Sequence, residues 1–308
     1  MGPVASMTRS PSPQLSLALL LAVSLLVGWR PLVHTFALAL RDDAYTHILL
    51  ILPISAALIF LEWHSLQPMV AANVRIGSSI LAMAVLVAGF GRAWSSISSD
   101  VQLSLAMLGL VIWWIGAFVL CFGTRVSRGL LFPLCFLFGV VPLPQVLLNE
   151  LVHLLQQGSA WTASALFAAI GVPVAQDGFL LTIPGLTVEV AKECSSIRSS
   201  SMLLVTTMVL AQLLLRSPWR KALVIALAVP LSVAKNGLRI FTIAMLGTRV
   251  DPGYLTGRFH HEGGIVFFMI ALLGVFVLLW ILRRGEDLSQ DLTLGDKAVE
   301  ANAHRHPY

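Results

Sequence analysis

The amino-acid sequence predicts an all-α polytopic membrane protein of about eight transmembrane helices, with an extracytoplasmic amphipathic helix and a short β-hairpin placed before Cys194. Three observations carry this reading. Of the 308 residues, 57% are apolar and only 11% are charged, where soluble domains carry about 45–50% and about 25%. The mean hydropathy is +0.86. The apolar residues also come in runs close to the roughly 20 that a helix needs to cross a bilayer. Together these exclude an ordinary soluble domain, a disordered chain and a nucleic-acid-binding protein. The net charge of +5 does not change that, because the basic residues are scattered between apolar runs as orientation signals.

In chain order the candidate spans are 14–29, 46–61, 76–91, 103–120, 129–142, 199–215, 222–246 and 264–282. Pro133 and Pro142 interrupt the fifth, which is tolerated when neighbouring groups satisfy the freed carbonyl. The stretch 146–170 is apolar but carries Asn149, Glu150, His153, Gln156 and Gln157. It reads as an amphipathic interfacial or re-entrant helix rather than a ninth span. Eight spans put both termini on one side. The clusters Arg125/Arg128, Arg216/Arg220/Lys221 and Arg283/Arg284 mark that side as cytoplasmic. The chain then divides into a short cytoplasmic tail (1–13), a transmembrane domain (14–284) and a polar cytoplasmic tail (285–308) expected to be disordered. No internal repeat of the kind many transporters carry is visible. Three cysteines do not make a disulfide framework.

The longest break between spans, 143–198, faces outward by the same count. Within it, Pro184-Gly185 separates two short β-branched runs, a hairpin signal. The hairpin delivers the chain into Lys192-Glu193-Cys194-Ser195-Ser196-Ile197-Arg198. Cationic neighbours and a helix N-terminus favour thiolate over thiol, which is how reactive cysteines are made. Cys121 and Cys135 lie within spans, so Cys194 alone faces outward. Its other reading is a small apolar filler at a helix start. The seventh span carries Lys235, Asn236 and Arg239 near its outer end. Lys235 and Arg239 are four apart and share a face, where like charges repel. Arg239 lies about 10 Å below the span's end, a depth at which charges usually face a functional cavity. The alternative there is a side chain that snorkels to the interface. The last outward segment holds His260-His261-Glu262-Gly263-Gly264. Adjacent histidines point in different directions and no third ligand follows at metal-site spacing, so neither metal nor cofactor is expected. A histidine exchanging a proton with a thiol fits better. Cys194, Arg239 and His260 or His261 would then converge at the outer ends of three consecutive spans.

These residues resemble the exosortases, integral membrane relatives of the archaeosortases. The core motif is matched by Val188-Glu189-Val190-Ala191-Lys192-Glu193-Cys194-Ser195-Ser196-Ile197-Arg198-Ser199, the second by Asn236-Gly237-Leu238-Arg239-Ile240, and the third by His260 with Gly263-Gly264 and Phe267-Phe268. Tyr45-Thr46-His47, Phe132-Pro133 and Pro142-Leu143-Pro144 add support, so the resemblance runs from about 42 to 268. It implies a cysteine protease or transpeptidase of the bacterial inner membrane, with its active site facing the periplasm. Its substrates would be secreted proteins with a C-terminal sorting tag of the PEP-CTERM type. Cys194 would be the nucleophile, Arg239 the oxyanion or thiolate stabiliser, and His260 the base, with His261 as second choice. Arg198, Asn236 and Lys235 would bind substrate, and the implied partners are the lipid bilayer and exopolysaccharide machinery. One departure is local: many relatives have Ser-Gly after the cysteine, whereas this chain has Ser195-Ser196. Two rivals remain from the residues alone. One is a transporter or flippase passing an anionic substrate along Lys235 and Arg239; the other is a non-enzymatic scaffold for polysaccharide export.

Overall fold

The computed structural model describes residues 12–94, 96–190, 197–255 and 263–303. Their helices are α1 (Pro13–Val27), α2 (Trp29–Arg41), α3 (Ile48–Leu66), α4 (Val74–Ala93), α5 (Ser99–Gly129), α6 (Leu131–Phe136), α7 (Gln145–Ala169), α8 (Ile197–Leu214), α9 (Pro218–Arg249) and α10 (Gly264–Ala303). Among the described residues, six helices are long and apolar enough to cross a membrane. The count rises to eight when each of two bent helix pairs is taken as one span. It is an all-α polytopic membrane protein with one small sheet.

Two of the expected spans have a different shape. The first ends at Gly28, where the chain turns by 74° into α2. Residues read as a connecting loop are helical there because Leu32, Thr35 and Ala39 form a buried stripe at helical spacing. The fifth, expected over 129–142, is not a helix of its own: α5 runs on to Gly129, and Leu131–Val140 then holds α6 and a 3₁₀ turn. Ten residues rise about 15–20 Å, short of the roughly 30 Å hydrocarbon core.

By internal packing the chain forms two compact units, Met1–Leu148 and Asn149–Tyr308. In the first, glycines let α4 and α5 approach closely, with Gly91 against Leu105, Gly109 against Ala88 and Gly116 against Ile80 and Leu81. The core is a ladder of α5 and α6 residues, Val111, Phe118, Phe122, Val126, Leu130 and Leu134. Trp63 sets its edge on Phe118 and Phe122, with ring centroids 6.5 and 4.8 Å away. Trp113 Nε1 donates to the Leu20 carbonyl at 3.1 Å and Trp114 Nε1 to Ser24 Oγ at 3.0 Å, fastening α1 to α5. The stretch leading to α7 is held at three points. The Tyr45 hydroxyl donates to the Leu143 carbonyl at 2.8 Å, Ser104 Oγ donates to that of Pro142 at 2.7 Å, and Asp100 Oδ2 accepts from Gln145 N at 2.8 Å.

In the second unit α8, α9 and α10 pack against one another around Leu203, Ala211, Val224, Ala271, Val275 and Leu279. Their far ends are latched by Glu286, which accepts from Arg216 N at 3.0 Å and Ser217 N at 2.8 Å, just ahead of α9. Those backbone N–H groups lie where a helix N-terminus has no partners of its own, so a carboxylate caps them well. Arg220 answers by donating to the Leu282 and Gly285 carbonyls at 2.6 and 3.2 Å. Beyond the apolar run α10 stays helical to Ala303, in place of the irregular tail its composition suggests. Residues such as Glu286, Leu288, Gln290, Lys297 and Ala298 are good helix formers even without an apolar stripe.

The expected hairpin is the later part of a three-stranded antiparallel sheet, β1 (Ala175–Asp177), β2 (Leu180–Ile183) and β3 (Leu186–Glu189), in the order β1-β2-β3. Ile183 pairs with Leu186 across Pro184-Gly185. Gly185 has φ +82°, the value such a turn asks of its second residue. One face, Leu181 and Ile183 with Val190 beyond β3, is buried on Ala160, Ala163 and Phe167 of α7 and Ile240 and Ala244 of α9.

Gly123 gives a test of this packing. It breaks the helical backbone of α5 at φ +84° and ψ 171°, a region open essentially to glycine alone. The loop residue Ala71 docks on that kink, its N–H donating to the Phe122 carbonyl at 3.2 Å, and a Cβ on Gly123 would overlap the Ala71 carbonyl oxygen. Gly123→Ala is expected to cost about 1–3 kcal/mol in backbone strain before the clash is counted. Thermal unfolding of the detergent-solubilised protein should show a clear drop in midpoint.

Candidate functional site

The second unit gathers its polar groups along α9. Ser232, Lys235 and Asn236 are buried there, Lys235 at 6% and Asn236 at 1% exposure, and Arg239 is half-buried. Buried polar groups are hydrogen-bonded as a rule, and these reach different neighbours. Lys235 Nζ donates to Ser199 Oγ on α8. One turn earlier Ser232 Oγ donates to Ser200 Oγ at 2.6 Å, a second rung between the same two helices. Asn236 Nδ2 donates to Ser159 Oγ on α7 at 3.0 Å, and that hydroxyl donates to the Leu155 carbonyl at 2.6 Å. Gly237 sits flush against Thr162 and Gly158 against Val233, so α7 and α9 touch nearly backbone to backbone. Arg239 reaches the start of α10, where its Nη1 is 4.0 Å from the position a Cβ on Gly264 would take. Eight residues of one helix, Ser232 to Arg239, thus hold α7 and the first turn of α8 and reach the start of α10.

The chain ahead of α8 is fixed as firmly. Val190, 1% exposed, donates its N–H to the Phe179 carbonyl at 2.9 Å and accepts at its own carbonyl from Gln156 Nε2 at 2.7 Å. Gln156 is buried on α7, and its Oε1 has no partner among the described residues. The His153 ring meets Phe179 edge-on, with centroids 5.0 Å apart. The described chain is therefore anchored at Val190 and again at Ser199, four residues before Cys194 and five after it.

Of the residues singled out from sequence, Lys235, Asn236 and Arg239 are brought together on α9. Arg198 lies exposed at the start of α8, its carbonyl accepting from Ser201 Oγ at 3.0 Å. Cys194, His260 and His261 lie outside the described residues. The helices that follow them, α8 and α10, begin beside Lys235 and Arg239 respectively. The site is deeper than expected: α9 continues to Arg249, so Arg239 is about 15 Å from the helix end rather than about 10 Å. Sequence reasoning did not single out Ser159, Ser199, Ser200 or Ser232, and it placed Gln156 on a polar face. A serine in an apolar helix carries no positional signal, since its hydroxyl can bond its own helix. Among the described residues no three His, Cys, Asp or Glu side chains gather as a metal site would require. What the arrangement offers chemically is positive potential: a buried ammonium, a half-buried guanidinium and the positive ends of two helices.

A family model for the transmembrane exosortases matches residues 39–277, most of the chain. No curated protein and no solved structure matches it.

Two glycines at this junction should respond in opposite ways. A Cβ on Gly237 would lie 2.5 Å from Thr162 Cβ, so Gly237→Ala forces α7 off α9. That substitution is expected to lower the unfolding midpoint by several degrees, as overpacking costs about 1–3 kcal/mol. A Cβ on Gly264 would meet Arg239 Nη1 at an ordinary 4.0 Å, so Gly264→Ala should unfold at the wild-type midpoint.

Proposed function

Since the chain belongs to the transmembrane exosortases, we propose that it is a cysteine protease or transpeptidase acting on secreted proteins that carry a C-terminal sorting tag. The tag class is the PEP-CTERM type, and the enzyme works at the periplasmic face of the bacterial inner membrane with both termini in the cytoplasm. The observation that supports this most directly is the junction on α9. Arg239 stands at the start of α10, just after the segment with His260 and His261, and Lys235 holds the start of α8, just after the segment with Cys194.

In this reading the Cys194 sulfur, its proton passed to His260, attacks the scissile carbonyl carbon. A C–S bond forms and the carbonyl π pair moves to oxygen. Arg239 balances that oxyanion, where a fixed guanidinium in a water-poor site is worth most. Collapse breaks the C–N bond, His260 returns the proton to the leaving amine, and a thioester remains on Cys194. Water then makes the reaction hydrolysis; an amine or a cell-surface glycan makes it transfer. Arg198, exposed at the start of α8, binds the incoming peptide, whereas Asn236, buried against Ser159, acts by holding α7 to α9; the enzyme is coupled to exopolysaccharide export.

Cys194→Ser should abolish processing of a tagged secreted substrate while the protein stays folded, because the hydroxyl is nearly isosteric but poorly ionised. Cys121→Ala and Cys135→Ala should process normally; wild-type processing by Cys194→Ser would remove the nucleophile assignment. Arg239→Lys should be strongly impaired despite keeping its charge, since an ammonium does not reproduce the planar fork of donors. His260→Ala should slow processing about 10²–10⁴-fold and His261→Ala far less. The reverse result would move the base by one residue.

A further inference from the structure

Helices α1 and α4 both pack on α5, and between them a groove of about 240 Å³ runs over α5, with Gly109 and Trp113 in its floor. Its walls include Val23 and Val27 of α1 and Val85, Gly89 and Arg92 of α4. The three valines are exposed, so in a membrane the groove opens sideways onto acyl chains. Two details set it apart from ordinary lipid-facing surface. Gly89 is the first. Other glycines of the α4–α5 pair allow close approach, Gly91 against Leu105, Gly109 against Ala88 and Gly116 against Ile80, whereas a Cβ on Gly89 would meet nothing within 4 Å. Glycine is a poorer helix former than alanine, so what this one contributes is width in the groove. Arg92 is the second. The other polar side chains of the lining are already bonded. Ser24 Oγ donates to the Leu21 carbonyl at 2.7 Å and accepts from Trp114 Nε1 at 3.0 Å, and Trp113 Nε1 donates to the Leu20 carbonyl at 3.1 Å. The Arg92 guanidinium has no hydrogen-bond or ion-pair partner among the described residues, and no lining residue is acidic.

We propose that this groove is a binding site for an anionic phospholipid, with one acyl chain lying along Gly89 and the phosphate paired with Arg92. The dimensions agree. With 20 residues, α4 is about 30 Å long, close to the thickness of the hydrocarbon core. Arg92, next to last in α4, therefore stands at the level of the headgroups. From there the α4 wall descends through Gly89 and Val85 to Ala84, about 12 Å into the acyl region. Charge selects the headgroup. A guanidinium forks onto phosphate oxygens with two parallel hydrogen bonds. Arg30 adds a second positive charge at the same end: it precedes Pro31 of the lining, and α1 and α4 run the same way along α5, Gly28 lying against Leu110 and Gly91 against Leu105. A zwitterionic headgroup would bring its own ammonium up to these cations, whereas a glycerol headgroup brings none. The site lies wholly within the first unit and does not depend on the reading of Cys194.

The test titrates full-length, delipidated protein in detergent with phosphatidylglycerol or phosphatidylethanolamine of identical chains and reads bound lipid by native mass spectrometry. The wild type should hold one phosphatidylglycerol per chain more tightly than phosphatidylethanolamine. Arg92→Gln should weaken phosphatidylglycerol binding about fivefold. Gly89→Leu, which puts a side chain into the groove, should weaken it roughly tenfold. Arg75→Gln, at the opposite end of α4, should leave it unchanged. Equal binding of the two lipids by the wild type overturns the proposal, as does wild-type affinity in both groove variants. Loss in one of them alone also overturns it. Loss only in Arg92→Gln makes the contact a surface encounter of the headgroup, and loss only in Gly89→Leu makes the groove a hold for any apolar chain. An equal loss in Arg75→Gln would reduce the effect to general attraction between basic surface and anionic lipid, and overturns it too. Should Gly89→Leu fail to fold, the wild type is titrated with dihexanoyl phosphatidylglycerol, the same headgroup on chains too short to fill the groove. Much weaker binding then supports the proposal, and equal binding overturns it.

Discussion

Each polar side chain that α9 carries into the interior of the second unit needs a partner there, and between Ser232 and Arg239 the sequence places four such groups within two turns. Asn236 finds Ser159 on α7, Ser232 and Lys235 find two consecutive serines on α8, and Arg239 lies against the start of α10. A buried group left unpaired costs about 1–3 kcal/mol, so none of these neighbours is free to slide along α9 by a turn. The level at which α8 and α10 begin is thereby set from inside the bundle. It lies about 15 Å short of the end of α9, with the sheet packed on the part of α9 that continues past it.

That depth sets the junction's positive charge well inside the bundle, below the end of α9. The sheet is held on α7 by an apolar face and by the Gln156 amide, which grips Val190 at the last described position before the cysteine segment. At the opposite end of the bundle Glu286 and Arg220 tie α10 to the turn between α8 and α9, so α10 is located at both ends. Two segments that carry the reactive residues of the proposed mechanism, 191–196 and 256–262, are thus joined to anchored elements. Positive charge lies where those elements meet.

Much of this was legible in the sequence, for physical reasons that differ by element. Spans are legible because burial in lipid demands long apolar runs, and α3, α4, α8, α9 and α10 appear where those runs are. The bend at Gly28 and the shortening of the expected fifth span to α6 and a 3₁₀ turn were not, because hydropathy reports length and not direction. Pro184-Gly185 announces β2 and β3, whereas Ala175-Gln176-Asp177 has no β-forming residue and becomes a strand only by pairing with β2. Lys235 and Arg239 stand out as charges in an apolar run. Their serine partners do not, since a hydroxyl in a helix looks the same whether it bonds its own backbone or a neighbour's lysine. Gln156 counts in the sequence only as one polar residue of an amphipathic helix, and only the fold shows that its amide goes to a buried carbonyl.

The proposed mechanism requires Cys194 and His260 to meet, and a disulfide trap measures that directly. His260→Cys is introduced into full-length protein with Cys121→Ala and Cys135→Ala, leaving Cys194 and the new thiol as the only pair. A disulfide requires Cα atoms within about 7 Å. Mild oxidation in the membrane should lower the intact mass by two hydrogens (about 2 Da) within a single chain. Both thiols remaining free, or bridging only between two chains, would contradict the account.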